Sequence, residues 1–332
     1  MPEVFQPTKE LTDLLVRSGS QRKEESLAAN AEFAKALELP LRQGVLNGNI
    51  LDGIFEPITL AQSATPEFPL DLLSPGTEKD FVAFTIPNHG YIPEKHVESD
   101  YVMVPTYDVG SSIDYLLKYA RDARWDVVGR AMEVLEGSFV KKMNDDGWHT
   151  LLAAGLDRNI LVYDSDAPTG LLSKRVVSLL KTTMRRNGGG NSASTNRGLL
   201  TDLYVSPEAM EDMRNWNVDQ IDEFTRREIY TAADGTVNRI FGVNLHDLDE
   251  LGEGQEYQLY YLNALSGSIG SKSELVVGLD LRKRDSFIMP IRENVQIFED
   301  DTLHRQKRAG FYGWAEQGFA VLDNRRVILG AI

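Results

Sequence analysis

The chain of 332 residues contains no cysteine, so disulfide bridges, thiolate nucleophiles and cysteine-bound metals are excluded. Basic residues are few beside acidic ones, 35 Lys and Arg against 50 Asp and Glu, a formal net charge of −15. A protein that works by gripping phosphates carries the opposite sign, so the acidic excess reads as a solvated surface. No apolar stretch approaches the roughly 18 residues of a membrane span, which predicts a soluble protein. The opening MPEVFQPTKELTDLL lacks the basic start and apolar core of a secretory signal. Histidine is sparse and scattered, at His89, His96, His149, His246 and His304.

Catalytic motifs are missing too. No serine stands in a Gly-x-Ser-x-Gly elbow. The run Gly188-Gly189-Gly190 follows a helix pattern and is not closed by Lys-Ser/Thr, so it reads as a flexible loop and not a phosphate cradle. His89, Glu94, His96, Glu98 and Asp100 share one polar segment, and Glu299-Asp300-Asp301 lies near His304. Neither group has zinc or calcium spacing, so a solvated loop and an acidic turn are the simpler readings. Arg282-Lys283-Arg284 and Arg325-Arg326 read as solvated strand ends or, alternatively, as intersubunit ion pairs. Nothing here requires catalysis or a cofactor, and the chain is expected not to be an enzyme.

What is present is a folded composition, 42% hydrophobic and 26% charged, divided into segments of different texture. Residues 1–55 are polar and broken by Pro2, Pro7 and Pro40. Their one plausible helix, 20–38, has a ragged apolar face of Leu27, Ala31, Ala34 and Leu37. A disordered tail and an arm docked on a neighbouring subunit both fit. After prolines at 57, 66, 69 and 75, Phe81–Ile86 and Tyr101–Val104 read as the two strands of a long hairpin whose tip is 88–100. An isolated ribbon is only marginally stable, so it needs something to lie on.

The proline-free run from Ser112 to Gly155 has apolar residues at three-four spacing, among them Ile113, Leu116, Leu117, Ala120, Val128, Leu135, Phe139 and Met143. It predicts a single helix of roughly 60 Å. Ser111 and Asp114 match a capping box, Gly155 stands where a left-handed cap belongs, and Gly129, Gly137 and Gly147 are points where it could bend. Next come an amphipathic helix over Leu171–Asn187, a strand at Asp202–Val205, and a helix started by Ser206-Pro207-Glu208. Strands at Ile240–Leu245 and Tyr257–Leu262 complete an α+β block. The last 60 residues read as strands over 275–281, 286–291, 295–298, 311–321 and 327–329.

In this order of parts, with the closing texture Val276-Val277-Gly278-Leu279-Asp280-Leu281, Pro290-Ile291-Arg292-Glu293 and Phe311-Tyr312-Gly313-Trp314-Ala315-Glu316, the chain resembles the major capsid proteins of tailed bacteriophages. Encapsulins share that fold. The resemblance implies an α+β subunit with an N-terminal arm (1–55), an extended loop (56–110, hairpin 81–104), a spine helix of the peripheral domain (111–158), an axial domain (159–272) and C-terminal peripheral strands (273–332). It implies a virion shell protein, assembled in the host cytoplasm into pentamers and hexamers of an icosahedral head around double-stranded DNA. Its partners would be copies of itself, with separate scaffolding, portal and decoration proteins possible and no sequence-specific DNA binding. Phe81, Phe84, Ile86, Tyr91, Lys95, Tyr101 and Val104 would contact a neighbouring subunit. Some relatives cross-link a loop lysine to an asparagine, for which Lys95 with Asn294 or Asn324 are the candidates. The other readings are an encapsulin-type shell and a cytoplasmic hydrolase or metal enzyme using the acids at 94–100 or 299–304.

Overall fold

The computed structural model describes residues 9–47, 50–61, 64–69, 101–158, 160–187, 198–216, 239–257, 272–282 and 284–332. Its elements begin with α1 (Lys9–Ser18), α2 (Lys23–Asn47), β1 (Glu56–Thr59), β2 (Glu67–Pro69), β3 (Tyr101–Met103) and β4 (Tyr107–Leu116). They continue with α3 (Leu117–Arg121), α4 (Trp125–Asp157), β5 (Leu161–Tyr163), α5 (Lys174–Asn187), β6 (Asp202–Val205) and α6 (Pro207–Arg214). The last are β7 (Arg239–Ile240), β8 (Val243–Asp247), β9 (Leu275–Leu279), β10 (Phe287–Glu299), β11 (Arg308–Gln317), β12 (Ala320–Val321) and β13 (Val327–Ala331). Two compact units result. The first holds the described residues up to Glu67 with Met103–Gly147 and Ile288–Ala320; the second is built mainly from Trp148–Phe287 and Val321–Ile332.

The first unit is organised by a sheet in the order β1-β10-β11-β4, with β12 off β10. Strand β4 alternates: Val109, Tyr115 and, more weakly, Ser111 and Ile113 point inward, while Asp108, Gly110, Ser112 and Asp114 face out. It pairs antiparallel with β11 along its whole length, from Tyr107↔Gln317 to Leu116↔Arg308. The helix expected from residue 112 therefore starts only at Trp125, after a strand, the short α3 and a turn in which Ala123 adopts φ 49°. Ile113, Leu116, Leu117 and Ala120 satisfy a three-four pattern, but Val109, Ser111, Ile113, Tyr115 and Leu117 equally satisfy alternation, and an available partner strand decides the matter. The expected capping box dissolves accordingly. Ser111 Oγ accepts from Ser138 Oγ at 2.8 Å, and Asp114 pairs with Arg308 at 2.7 Å.

Helices α2 and α4 cover the inner face of this sheet. Phe33 of α2 lies 5.7 Å from the Phe311 ring and 5.9 Å, edge-on, from Trp125. The Phe139 ring of α4 packs against Gly313 of β11, within about 3.4 Å of where a Cβ there would sit. This corrects the N-terminal expectation: within 9–55, Ala29, Phe33, Ala34, Leu37, Leu41, Val45, Ile54 and Phe55 are buried. The stripe that packs is centred on Phe33, not on Leu27 and Ala31, and α2 runs through Pro40 to Asn47. One missing N–H did not end the helix, because packing on either side outweighs it. Helices α1 and α2 are tied by Ser26 Oγ, which donates to the Ser18 carbonyl at 2.6 Å.

The second unit contains a sheet in the order β5-β13-β9-β6-β8-β7. Every residue of β6, β9 and β13 is buried. Such strands need cover on both faces. On one face α5 and α6 supply Val176, Leu180, Met184, Ala209 and Met213 against Leu203, Val205, Val276 and Ile328. The other face takes the last turns of α4: Trp148 meets Tyr204 at 4.9 Å, edge-on, and Gly155 lies against Leu329. Gly155 is thus inside the helix, making room for a leucine, and α4 passes through Gly129, Gly137 and Gly147 without ending. The expected set of closing strands divides, β9 and β13 joining this sheet and β10 and β11 the first. Among the described residues no helix is long and apolar enough to cross a membrane.

Candidate assembly surfaces

Strand β3 forms where Tyr101–Val104 was expected to be one, but its partner among the described residues is β2, Glu67–Pro69. The expected partner Phe81–Ile86 and the candidates Tyr91 and Lys95 lie outside the described residues, as do the cluster at 89–100, the glycine run and the strand proposed beyond Tyr257. The ribbon leaves large apolar side chains in solvent: Tyr101 is 60% and Met103 63% exposed. Val104 differs. It is 2% exposed and so already covered within the chain, and its N–H donates to the Pro66 carbonyl at 2.9 Å.

A second apolar surface lies on the outer face of the first unit's sheet, and sequence reasoning missed it. Phe298, Tyr312 and Trp314 stack across β10 and β11, with Phe298 4.6 Å from Trp314 and 5.6 Å from Tyr312. The strand opposite presents only Gly110 to Trp314 and Ser112 to Tyr312, so Trp314 remains 42% exposed. The signal was the alternation in Tyr312-Gly313-Trp314, which puts both rings on one face. Arg292 bridges to Glu316 at 2.8 Å at the edge of this patch.

The titratable groups are joined as structural partners. Asp280 is fully buried and accepts hydrogen bonds from Arg282 Nη2 at 2.8 Å, Leu199 N at 3.0 Å and Arg326 Nη1 at 3.1 Å. Burial alone raises its pKa, but these donors hold it below the ordinary aspartate value. The basic pair Arg325-Arg326 is engaged within the chain, with Asp323 and Asp280, and is neither a solvated end nor free for another subunit. Asp202 shows the same balance, with burial opposed by donors from His246 at 3.0 Å and Asn244 at 3.1 Å, and a net shift downward. Glu274 goes the other way. Burial lifts its pKa against the hydrogen bond from Ser206 Oγ at 2.6 Å, and Glu208, Asp212 and Glu253 add to the rise. That same hydroxyl caps α6 by accepting from Ala209 N at 3.1 Å.

Asp300, in the acidic turn, accepts from Thr302 N at 2.9 Å and Thr302 Oγ1 at 2.6 Å, which makes it a turn former. Among the described residues no three His, Asp or Glu side chains are grouped to hold a metal ion. Of the asparagines named for cross-linking, Asn294 is half-buried on β10, and Asn324 donates to Asp157 at 3.1 Å.

No family model matches the sequence, and no curated protein is similar to it. Solved structures are. The structure from Microbacterium phage Oxtober96 superposes over 86% of this chain and 90% of its own, with a TM-score of 0.59 at 11% identity. The capsid of Myoviridae phage XM1 matches over 85% and 90%, with a TM-score of 0.52 at 12% identity. The capsid of an empty GTA particle matches over 86% and 90%, with a TM-score of 0.50 at 11% identity. The chain has the phage capsid fold. Its α+β class and the capsid fold expected from the order of its parts are both met, with almost none of the sequence in common.

Proposed function

We propose that the chain is the shell subunit of a tailed-phage head, assembling into pentamers and hexamers of an icosahedral capsid that encloses double-stranded DNA. The observation that carries this reading is coverage. Likeness to phage capsid structures takes in most of this chain and most of theirs, leaving little of either for another task. The exposed Tyr101 and Met103 on a two-stranded ribbon support it, because such side chains gain most by being covered by a neighbour. In this reading the first unit is the peripheral domain, with α4 as its spine helix, and the second is the axial domain. The segment between β1 and β4 would be the extended loop, placing Phe81, Phe84, Ile86, Tyr91 and Lys95 with Tyr101 against the next subunit. The net charge of −15 supports containment of DNA without a broad grip on it.

The subunit would reside in the virion after assembly in the host cytoplasm, with scaffolding, portal and decoration proteins as separate partners. The test is to express the chain alone and with its neighbouring head genes, then measure mass by light scattering and the contents after nuclease treatment. Megadalton particles, filled with nuclease-protected DNA when packaging proteins are present, are expected. Particles that close instead around a protein cargo would point to an encapsulin-type shell, and a persistent monomer would end the proposal.

A further inference from the structure

Among the described residues of the second unit, two segments of opposite charge lie at opposite ends of β8. Helix α5, KRVVSLLKTTMRRN, contains Lys174, Arg175, Lys181, Arg185 and Arg186 and no acid, within a chain of net charge −15. Arg175 is engaged by Asp164 and Asp166, so the basic face is concentrated in the second half of the helix. That half is fixed at the leading end of β8. Lys181 Nζ donates to the carbonyl of Phe241, in the turn that opens the strand, and the Met184 carbonyl abuts Gly198 just before β6. Arg239 lies beside the same turn, donating to the Gly242 carbonyl at 3.5 Å. Phe241 is 38% exposed and holds φ 49°, a left-handed conformation that a phenylalanine adopts only at a cost. A partly exposed aromatic residue therefore stands in a turn that Lys181 and Arg239 both contact.

The trailing end of β8 is the reverse. The segment Asp247–Glu256, DLDELGEGQE, has five acids and no base, with Asp247, Asp249, Glu253 and Glu256 exposed. Leu248 N donates to the Val205 carbonyl at 3.0 Å, which holds the segment at the trailing ends of β6 and β8 together. Exposed Glu208 lies against Gly252 and adds to the charge. β6 and β8 run parallel, so the two poles are separated by the length of a five-residue strand, about 16 Å.

We infer that these poles form a head-to-tail contact between copies, the Lys181–Arg185–Arg186 face with Phe241 of one chain docking on the Asp247–Glu256 face of the next. Two different, complementary patches on one unit make a heterologous contact, which closes into rings and does not stop at a two-fold dimer. Nucleic acid is the other partner that a basic face could take. The chain's overall charge and the partly exposed Phe241 in that turn favour an acidic protein surface, and this chain itself presents one. The inference rests on the shell-subunit reading and assigns a contact within its rings.

The test uses the full chain with charges changed at each pole. Arg185→Glu with Arg186→Glu cancels the basic pole, and Asp249→Lys with Glu253→Lys cuts the acidic segment from five negative charges to a net of one. Each pair is expected to keep the wild-type circular dichroism spectrum and to lower particle yield at least tenfold. Charge-conserving changes at the same positions, Arg185→Lys with Arg186→Lys and Asp249→Glu with Glu253→Asp, keep assembly near the wild-type yield. Arg185→Gln with Arg186→Gln gives a smaller loss that added salt deepens. Folded charge-changed variants that assemble like the wild type, or charge-conserving variants that lose assembly as fully, overturn the contact while leaving the shell reading intact. Normal assembly of the arginine variant with lost binding to a DNA duplex would assign the basic face to nucleic acid and overturn it as well. A wild-type chain that never oligomerises overturns both readings.

Discussion

The two sheets solve burial differently. Strands β6, β9 and β13 have no exposed residue, and their sequences, such as Leu275-Val276-Val277-Gly278-Leu279, are nearly continuous apolar runs with helices on both faces. Strands β4 and β11 alternate, with α2 and α4 on one side and, on the other, a solvent face bearing Phe298, Tyr312 and Trp314. The second unit thus carries a complete core, whereas the first is covered on one side and keeps apolar surface in reserve. A shell subunit needs both, a part that folds by itself and surfaces that are finished by neighbours.

This contrast can be broken by mutation. The largest effect is expected from Trp148→Ala, which empties the site between α4, Tyr204 and Tyr257 and costs about 4 kcal/mol in chemical denaturation. A loss under about 1 kcal/mol would show that the second unit's core is not closed by α4. Asp280→Ala strands Arg282 and Arg326 and costs about 3 kcal/mol. Because the folded pKa of Asp280 is depressed, its contribution is complete above the unfolded aspartate value and fades as pH falls through the lower, folded one. The wild-type and mutant stability curves should therefore converge in acid below about pH 4 and stay apart at neutral pH.

Phe33→Ala tests the first unit, and a loss of about 3 kcal/mol is expected because the ring is fully buried between Trp125 and Phe311. Were the N-terminal segment a separate arm, the same change would leave the melting temperature of the subunit where it was. The smallest effect on the monomer comes from the outer face. Trp314→Ser should cost about 1 kcal/mol, from its lost stacking on Phe298 and Tyr312. Tyr101→Ser with Met103→Ser should be equally mild for the subunit but impair shell closure, as read by the fraction of intact particles.

How much of this was legible in the sequence depended on whether one periodicity had a rival. From Val128 to Leu152 the three-four stripe is unambiguous, and α4 follows it. The cap at Ser206-Pro207 and the apolar line of α5 through Val176, Leu180 and Met184 also carried through. Residues 107–120 fit helix and strand alike, and only pairing with β11, some 200 positions away, resolves them. The N-terminal face was misjudged because Pro40 signalled an end and because Phe33 acquires its value only from Trp125 and Phe311. Of the candidate contacts, Tyr101 is exposed and Val104 is buried, a difference that the alternating pattern of the segment does not reveal. The aromatic row and the charge poles become visible only when separate strands and helices are brought together.

The central claim is that copies of this chain complete one another's surfaces, and electron cryomicroscopy of the purified full chain tests it most directly. Closed icosahedral particles, with Tyr101 and Met103 seated against an adjacent copy, are the predicted result. A homogeneous 37.2 kDa species across salt, pH and concentration, with both side chains still in water, would contradict it.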